Sequence, residues 1–554
     1  MERRMSRAGL QQKKKTMWDM EPAADKSLAR STDTVLYRVH SEWRDVSFQA
    51  QASEADTAAY GEVLGQKKTV RESPEWRALD MGRMNITTVP PQLSRFGFLV
   101  ELSLNKNFLQ EIAPEICRLE RLRVLDVSEN MIKNIPPEIC KLVALRSFVA
   151  NDNMIRTLPP EMGGLWRLEK LVLDGNPLED SLKTLYHERG ATETVRYVRE
   201  HLLITVEPPE RVWHYIETAE KTLPHLTLFS HNILGNTFTS SQIYGYVPSW
   251  ALEWERRKDL LLAEILHQYA DIACLQEVET FHYDSFFLPA LEKHCNYSGC
   301  FIPKTRSKTL HFADRHNVDG CATFFRKDKY RLLKTYYVEF NKLAKRKTSQ
   351  CDDMYQRITT KQNVALILLL EETTGGNTFL CGNVHLHWDP ECKDVKLVQS
   401  ILFLEELERI RESTNPAFVV VLGDFNSLPD SGVYSLFATG HVDPAHPDFL
   451  GFKYNPYTQR GFNHNFGFKN TYSNAKELPF SCFSADFKGK IDYIWYSSRR
   501  LVVTGLLGPL SQEYMSKTVG LPNIYLPSDH IHLVAELSLK PGHAATPGAT
   551  EEQT

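Results

Sequence analysis

The sequence predicts an α/β protein in which a leucine-rich-repeat solenoid precedes a two-sheet α/β sandwich, and two patterns lead to this fold class. Between residues 76 and 176, leucines and asparagines recur with a constant period of 23 residues. A period of about 20–29 residues is typical of leucine-rich repeats. From residue 225 onward, short apolar runs alternate with amphipathic stretches, which favours mixed sheets and helices.

Composition limits the classes of function. The 554 residues carry a net charge of −4, so nucleic acid would have to be held locally, through metals, a groove or stacking. The ten cysteines form no CxxC pair, which favours free thiols in a reducing compartment. The N-terminus lacks a signal peptide, and the longest aliphatic run, 364–370, is too short to span a bilayer. We expect a soluble cytoplasmic protein without membrane contact. The sequence does not determine which fraction of it is nuclear.

Residues 1–70 show no sustained apolar period, and we expect a disordered tail. Its basic cluster at 13–15 is interpreted as part of a solvated tail, with a targeting signal or an RNA-contacting arm as alternatives.

The repeat domain is predicted for residues 71–205. Its inward-facing apolar positions are Leu79, Leu102, Leu125, Phe148 and Leu171. Asparagines at 107, 130, 153 and 176 can satisfy backbone groups at the turn that leaves each strand. Proline pairs at 90–91, 136–137 and 159–160 are expected to open the convex segments, and a helix over 182–203 is expected to cap the solenoid. Such a solenoid is typical of a protein-docking surface, and a rigid spacer is the alternative.

Residues 206–224 are predicted to be a linker, residues 225–540 the sandwich domain, and residues 541–554 a second disordered tail. The pattern predicts a helix over 250–269. Strands are predicted over 225–230, 272–275, 364–370, 379–384, 418–422, 491–496 and 531–537.

Polar side chains able to bind a metal or a phosphate stand where several of these strands end. They are Asn232, Glu277, His385, Asp424, Asn426, Asp492, Asp529 and His530. One such residue alone is more often a turn former than a catalyst. The whole set predicts a composite site at the rim of the sheets.

This set suits phosphodiester hydrolysis. Magnesium prefers oxygen ligands, and Glu277 is the natural one. Two magnesium ions could stabilise the attacking and the leaving oxygen. Asp424 could orient or deprotonate the attacking water, and His530, oriented by Asp529 or Asp492, could donate to the phosphoryl oxygens.

Longer motifs carry a family resemblance. The order Asn232, LQEVE, GDFNS and SDH resembles the endonuclease/exonuclease/phosphatase superfamily. The strings YGYVPSWALEWERRK (244–258), VDGCATFFR (318–326), HLHWDPECKDVKLVQ (385–399) and DFKGKIDYIWYS (486–497) resemble the carbon catabolite repressor protein four deadenylases of the Ccr-Not complex. This resemblance implies a two-sheet sandwich of the superfamily type and a magnesium-dependent 3′-to-5′ exoribonuclease that shortens mRNA poly(A) tails.

The resemblance also implies roles for single residues. Glu277, Asn232 and Asp424 match metal ligands, and Asp424 and His530 match catalytic residues. Positions implied to hold the substrate are Glu277, Asp314, His385, Pro390, Asn426 and Phe487, of which Pro390 and Phe487 would pack on adenine. The repeat domain would dock a DEDD-type deadenylase, which bridges to the Ccr-Not scaffold.

The chain departs from the family pattern in three places. NILGNTFT follows the first strand where the family has NVLCDKYA, Cys482 stands where an asparagine is expected, and Asp314 stands where a glutamate is expected. These changes concern adenine selectivity rather than the metal-binding set. The alternatives are another enzyme of the superfamily (an abasic-site endonuclease, an inositol-polyphosphate phosphatase or a sphingomyelinase) and an inactive scaffold.

Overall fold

The structure is a computed structural model that describes residues 36–38, 77–201, 207–216, 225–347, 353–473 and 477–540. The predicted C-terminal tail and most of the predicted N-terminal tail, including its basic cluster, lie outside these residues. Within the described residues, no helix is both long and apolar enough to cross a membrane.

The repeat pattern produces a curved parallel sheet. Five of its strands repeat at the predicted period of 23 residues, and a sixth strand pairs in parallel at the N-terminal edge. In chain order they are β1 Leu36–Arg38, β2 Ala78–Asp80, β3 Glu101–Ser103, β4 Val124–Asp126, β5 Ser147–Val149 and β6 Lys170–Val172. Strand β1 falls inside the segment predicted to be a tail.

Buried asparagines connect neighbouring repeats as predicted. The Asn130 amide donates to the carbonyl oxygens of Leu104 and Val127, both at 3.0 Å. Its side-chain oxygen accepts from the backbone N–H of Leu109 at 2.9 Å. Asn153 repeats this arrangement one repeat later. These bonds satisfy backbone groups that would otherwise be buried without partners.

Short 3₁₀ helices form the convex side of the solenoid. They span Pro91–Arg95, Ile116–Arg118, Pro137–Lys141 and Pro160–Gly164. Each predicted proline pair supplies the N-cap and the first helical residue of one of them, where the missing proline N–H costs nothing.

The predicted cap is present as helix α1, Asp180–His201. It kinks at Gly190, whose φ of +76° lies in the region that favours glycine. The buried side chains of Val195 and Val198 extend the apolar interior of the solenoid.

Two mixed sheets form the sandwich, and both extend beyond the predicted core strands. The first has the order β10-β11-β9-β8-β23-β22-β7 and the second β12-β13-β14-β15-β21-β18. The strands of the first sheet are β7 Trp213–Tyr215, β8 His225–Asn232, β9 Ile272–Glu279, β10 Tyr297–Pro303, β11 Asp319–Arg326, β22 Leu501–Leu507 and β23 Leu533–Leu539. The strands of the second sheet are β12 Tyr330–Glu339, β13 Val364–Glu372, β14 Thr378–His385, β15 Phe418–Asp424, β18 Phe468–Asn470 and β21 Asp492–Ser497. Two small hairpins pair β16 His441–Val442 with β17 Phe462–Asn463, and β19 Cys482–Phe483 with β20 Lys488–Gly489.

Helices cover the outer faces of both sheets. The α-helices after α1 are α2 Ser249–Leu252, α3 Trp254–Gln268, α4 Thr280–His282, α5 Leu288–Cys295, α6 Phe312–Arg315, α7 Phe340–Lys345, α8 Lys393–Thr414, α9 Gly432–Thr439, α10 Tyr457–Arg460 and α11 Gln512–Ser516. The main apolar core lies between the two sheets. One further apolar cluster lies between each sheet and the helices that cover its outer face.

Two predicted elements were wrong. The helix over 250–269 is split into α2 and α3 because Glu253 has an extended backbone and serves as the N-cap of α3. The linker over 206–224 contains β7, which pairs antiparallel with β22. A three-residue strand gives too short an apolar pattern to stand out beside Pro208-Pro209.

The last repeat of the solenoid packs against the sandwich domain. The Trp166 ring lies 5.3 Å from the Tyr246 ring, and the Arg167 guanidinium donates to Asp486 at 2.9 Å. Glu200, in the last turn of α1, accepts from the Ser249 N–H at 3.0 Å. The two domains therefore share a packed interface.

Candidate active site

The predicted site residues converge where the central strands of both sheets end. Strands β14, β15 and β21 place His385 opposite Asp424 and Asp424 opposite Asp492. Strand β8 of the other sheet ends at Asn232, and Glu277 lies in the adjacent β9. Residues far apart in the chain thus form one buried pocket.

Glu277 lies within β9 rather than at its predicted end, and its φ of +62° is unusual for a non-glycine residue. Its side chain accepts hydrogen bonds from the Gly235 N–H at 2.9 Å and from the Asn232 amide at 3.2 Å. Burial raises the pKa of the Glu277 carboxyl. The backbone geometry and these two donors fix the carboxylate at the rim of the pocket.

Asp424 lies at the centre of the site. It accepts from the Asn232 amide at 3.0 Å and from the Asn426 N–H at 2.8 Å. Burial and, to a smaller extent, the negative charge of Asp492 raise the pKa of Asp424 to about 7. Such a carboxylate can take up a proton near neutral pH.

Two histidines face Asp424. His385 Nε2 lies 3.7 Å from Asp424 Oδ2, and burial lowers the pKa of His385 well below its usual value. His530 Nε2 lies 3.9 Å from the same oxygen. His530 Nδ1 donates to Asp492 Oδ2 at 2.8 Å, and this carboxylate outweighs the effect of burial and raises the pKa of His530 well above its usual value.

The structure decides which aspartate orients His530. Asp492 contacts the ring, whereas Asp529 accepts from the Tyr244 hydroxyl at 2.8 Å. Of the two aspartates that the sequence left open, Asp492 therefore holds the imidazole and Asp529 does not. The Asp529 carboxylate is turned toward the tyrosine, and its contact anchors the loop that carries His530.

The other residues predicted to contact substrate lie on separate segments of the sandwich domain. The Asn426 amide donates to the Leu386 carbonyl oxygen at 3.1 Å. Pro390 is exposed in the loop before α8, and Phe487 is half-buried in the turn between β19 and β20. Asp314 is exposed on α6, and among the described residues no hydrogen bond or ion pair joins its side chain to the metal-binding set. Cys482 is buried and its backbone pairs with that of His530.

Two cations that no sequence pattern indicated, buried Arg257 and half-buried Lys304, also hold the site together. The Arg257 guanidinium donates to the carbonyl oxygens of Pro527 and Ile233, both at 2.7 Å. Lys304 pairs with buried Asp319 at 2.5 Å. Arg257 lies inside one of the quoted motifs, but nothing in its spacing distinguishes it from the neighbouring arginine and lysine.

The donor set fits magnesium. Glu277 and Asp424 are carboxylates whose pKa burial raises, so a cation in the pocket would favour their charged forms. Two buried polar atoms, Asp492 Oδ1 and His385 Nδ1, have no hydrogen-bond partner among the described residues. Carboxylate and amide oxygens are the ligands that Mg²⁺ prefers.

Comparison with known proteins gives matches for both domains. The sequence profile of the endonuclease/exonuclease/phosphatase family matches residues 229–530, and a leucine-rich-repeat profile matches residues 121–142. The CCR4-Not complex 3′-5′-exoribonuclease subunit Ccr4 of Mycosarcoma maydis is 43% identical over 88% of this chain and 79% of its own length. The subunit of the same name from Schizosaccharomyces pombe is 38% identical over 85% and 75%.

Among solved structures, the chain is similar to ANGEL2, a 2′,3′-cyclic phosphatase, in complex with adenosine-2′,3′-vanadate. The two share 25% identity with a TM-score of 0.50, over 60% of this chain and 99% of ANGEL2. The similarity confirms the predicted sandwich fold.

Proposed function

The chain belongs to the Ccr4 family of 3′-5′-exoribonuclease subunits of the CCR4-Not complex, within the endonuclease/exonuclease/phosphatase family, and from this premise we propose that it is a magnesium-dependent enzyme that removes mRNA poly(A) tails and releases 5′-AMP. The observation that carries the proposal is the convergence of Asn232, Glu277, Asp424 and His530 in one buried pocket.

Glu277 and Asp424 would hold magnesium, and two ions are expected. Asn232, the third expected ligand, instead donates its amide N–H groups to both carboxylates, while its oxygen accepts from the Leu234 N–H. When bound, magnesium stabilises the charge that develops on the attacking and leaving oxygens of the phosphodiester. Asp424, at the centre of the site, would orient the attacking water and take its proton. His530 is held as an imidazolium by Asp492, so it donates to a phosphoryl oxygen as negative charge develops there.

Substrate recognition rests on stacking and shape. Exposed Pro390 and half-buried Phe487 offer apolar surfaces on which an adenine can pack, worth roughly 1–3 kcal/mol per base. Stacking of this kind needs no net positive charge, which agrees with the net charge of −4. His385 and Asn426 would contact the nucleotide at the cleaved bond, and we assign Asp314 to the same substrate path because the family resemblance implies it.

The first prediction tests the chemistry. Full-length protein is incubated with a 5′-labelled RNA that ends in oligo(A), with and without magnesium. We expect a ladder of shortened tails, and a loss of at least about 10³-fold in rate for Glu277→Ala, because a buried ligand for magnesium is removed.

Exposed Glu391→Ala is the matched control and should retain activity. Tails of A, U and C compared side by side test selectivity, and we expect A to be shortened fastest. Equal rates on the three tails would reject poly(A) preference, and no shortening by the wild type would leave an inactive scaffold.

We further propose that the solenoid docks a DEDD-type deadenylase, which connects the chain to the CCR4-Not scaffold. The solenoid carries a row of exposed apolar side chains at the position after three of its four recurring asparagines: Phe108 (48% exposed), Met131 (40%) and Met154 (51%). A repeated exposed apolar row on a solenoid is typical of a protein interface.

The second prediction tests this row. Met131→Glu should reduce co-purification with the DEDD-type subunit at least tenfold, because a charge enters an apolar contact. Glu138→Lys on the convex side is the control and should bind normally. Equal capture of both variants would contradict docking through the row.

We also propose cytoplasmic residence, with the nuclear fraction to be measured by fractionation of tagged cells.

A further inference from the structure

A second cluster of metal-competent side chains lies behind the active site, on the outer face of the first sheet. His231 comes from β8, His532 immediately precedes β23, and Glu264 comes from α3, which covers that face. One ligand atom from each residue lies within 4.8 Å of the other two. None of the three residues belongs to the catalytic set.

The separations fit metal ligands better than hydrogen bonds. Glu264 Oε2 lies 3.5 Å from His231 Nδ1 and 3.4 Å from His532 Nδ1. Protein hydrogen bonds between nitrogen and oxygen measure about 2.7–3.2 Å. Two ligands of a tetrahedral ion with bonds of about 2.1 Å are separated by about 3.4 Å, since the tetrahedral edge is about 1.63 times the bond length.

The protonation state of His231 strengthens this argument. Its Nε2 lies 3.1 Å from the His530 carbonyl oxygen, which can only accept, so Nε2 carries the proton. In the neutral ring, Nδ1 therefore keeps its lone pair. A lone pair therefore faces a carboxylate oxygen, and both atoms are buried without a hydrogen-bond partner among the described residues.

Two facing acceptors require a cation between them, either a proton or a metal ion. A proton shared between His231 and Glu264 would draw the two atoms together to hydrogen-bond distance, which the 3.5 Å separation does not show. Arg211 is a nearby cation, but its guanidinium donates to the carbonyl oxygens of Gly508 and His532, each at 2.7 Å. It is therefore not the cation between the two acceptors.

We propose that His231, His532 and Glu264 form a zinc site separate from the catalytic centre. Two imidazoles and one carboxylate are a known ligand set for Zn²⁺, with water in the fourth position. Magnesium fits poorly because it favours an all-oxygen octahedral shell. The Glu264 side chain is 17% exposed, which gives the ion a route to solvent along α3.

A metal ion here would stabilise the chain segment that carries His530. His231 donates to the His530 carbonyl oxygen, and His532 follows two residues later. Zinc would thereby tie β8, α3 and the start of β23 together. Metal content and stability can be measured without an RNA substrate, so the zinc site can be tested independently of the proposed enzymatic function.

The first test measures metal content. Full-length protein is loaded with excess Zn²⁺ in millimolar Mg²⁺, desalted and analysed by inductively coupled plasma mass spectrometry. We expect about one zinc per chain in the wild type and a drop of at least fivefold in Glu264→Gln and in His532→Ala. Circular dichroism verifies that each variant is folded.

Two controls locate the ion. His225→Gln changes a histidine at the other end of β8, and Cys392→Ser removes a residue from a rival cluster, His387, Asp389 and Cys392. Both variants should retain zinc. Less than 0.1 zinc per loaded wild-type chain would overturn the proposal, as would zinc loss in Cys392→Ser with retention in His532→Ala.

A second measurement remains informative if a variant fails to fold. Replacing zinc by Co²⁺ in the wild type should give the intense visible absorption of a tetrahedral cobalt site. A zinc-selective chelator in millimolar Mg²⁺ should lower the melting temperature of the wild type and of Cys392→Ser equally. An unchanged melting temperature together with no cobalt band would mean that the cluster holds a proton instead.

Discussion

Asp492 determines the charge of His530. Its carboxylate lies 2.8 Å from Nδ1 and holds the imidazole in the cationic form although the ring is buried. Burial alone would lower the pKa of a histidine. The ability of His530 to donate a proton therefore depends on a neighbour that does not contact the reacting phosphate.

The third prediction follows from this dependence. Asp492→Asn should lower the pKa of His530, so that the imidazolium is lost at a lower pH and the alkaline limb of the rate profile moves to lower pH. We expect kcat to fall by about 10²-fold at pH 8, the low end of the contribution of a general acid. The measurement is kcat between pH 5.5 and 9.

Asp430→Asn in the exposed loop after β15 is the control and should keep the profile of the wild type. An alkaline limb that does not move in Asp492→Asn would mean that His530 does not supply the titrating proton.

For single residues, the sequence predicted which side chains lie close together but not which of them form hydrogen bonds with each other. A polar residue at the end of a strand can be recognised from the apolar run beside it, which precedes Asn232 and Asp424 and follows Asp492. The partner of His530 depends on side-chain directions, and these are set by the hydroxyl of Tyr244, which occupies Asp529. Arg257 was missed because its partners are backbone carbonyl groups, which no sequence pattern marks.

The recurring asparagines of the solenoid, here called the asparagine ladder, determine how neighbouring repeats align. Asn130 binds one backbone N–H and three carbonyl groups drawn from two repeats. These groups are buried, so the ladder fixes the register of neighbouring repeats.

The fourth prediction concerns this ladder. Asn130→Ala should destabilise the repeat domain by roughly 3 kcal/mol, because each buried group left unpaired costs about 1–3 kcal/mol and water can reach only some of them. Urea unfolding followed by circular dichroism measures the change. Asn151→Ala, whose amide donates only to the exposed carboxylate of Asp152, should change stability by less than about 0.5 kcal/mol. Similar losses in both variants would contradict the role of the ladder.

Long regular patterns were sufficient to predict elements. The period of 23 residues located β2–β6 and the prolines located three of the 3₁₀ helices, since each repeats one physical requirement several times. Strand β7 and the break at Glu253 were missed because a strand of three residues and a single extended residue leave almost no periodic signal.

In the whole molecule, the solenoid packs against the segments that carry the active site. Trp166 packs so closely that a Cβ on Gly245 would meet its ring at 2.4 Å, and the cluster around Trp166 includes Tyr244, which anchors Asp529. Arg167 pairs with Asp486, the residue before Phe487. The interface residues are scattered along the chain, so the sequence did not predict the packing of the two domains.

The fifth prediction tests this connection. Arg167→Asp should raise the KM for oligo(A) RNA about two- to fivefold with little change in kcat, because exposed ion pairs contribute only about 0.2–1 kcal/mol and the hairpin bearing Phe487 is outside the metal-binding set. Adding Asp486→Arg should restore KM. Arg146→Asp, which breaks a pair within the solenoid, should leave KM unchanged. A double variant no better than the single one would refute coupling through this pair.

Strand β7 has a practical consequence for dividing the protein into fragments. A nuclease fragment that began at residue 225 would lack this strand, and the backbone N–H and C=O groups of β22 that bind it would face solvent. Unpaired strand edges recruit strands from other molecules, so such a fragment would be prone to aggregate. It would also lose Arg211, whose guanidinium binds the loop after β22 and the backbone next to β23. Starting the fragment at residue 207 keeps both the strand and the arginine.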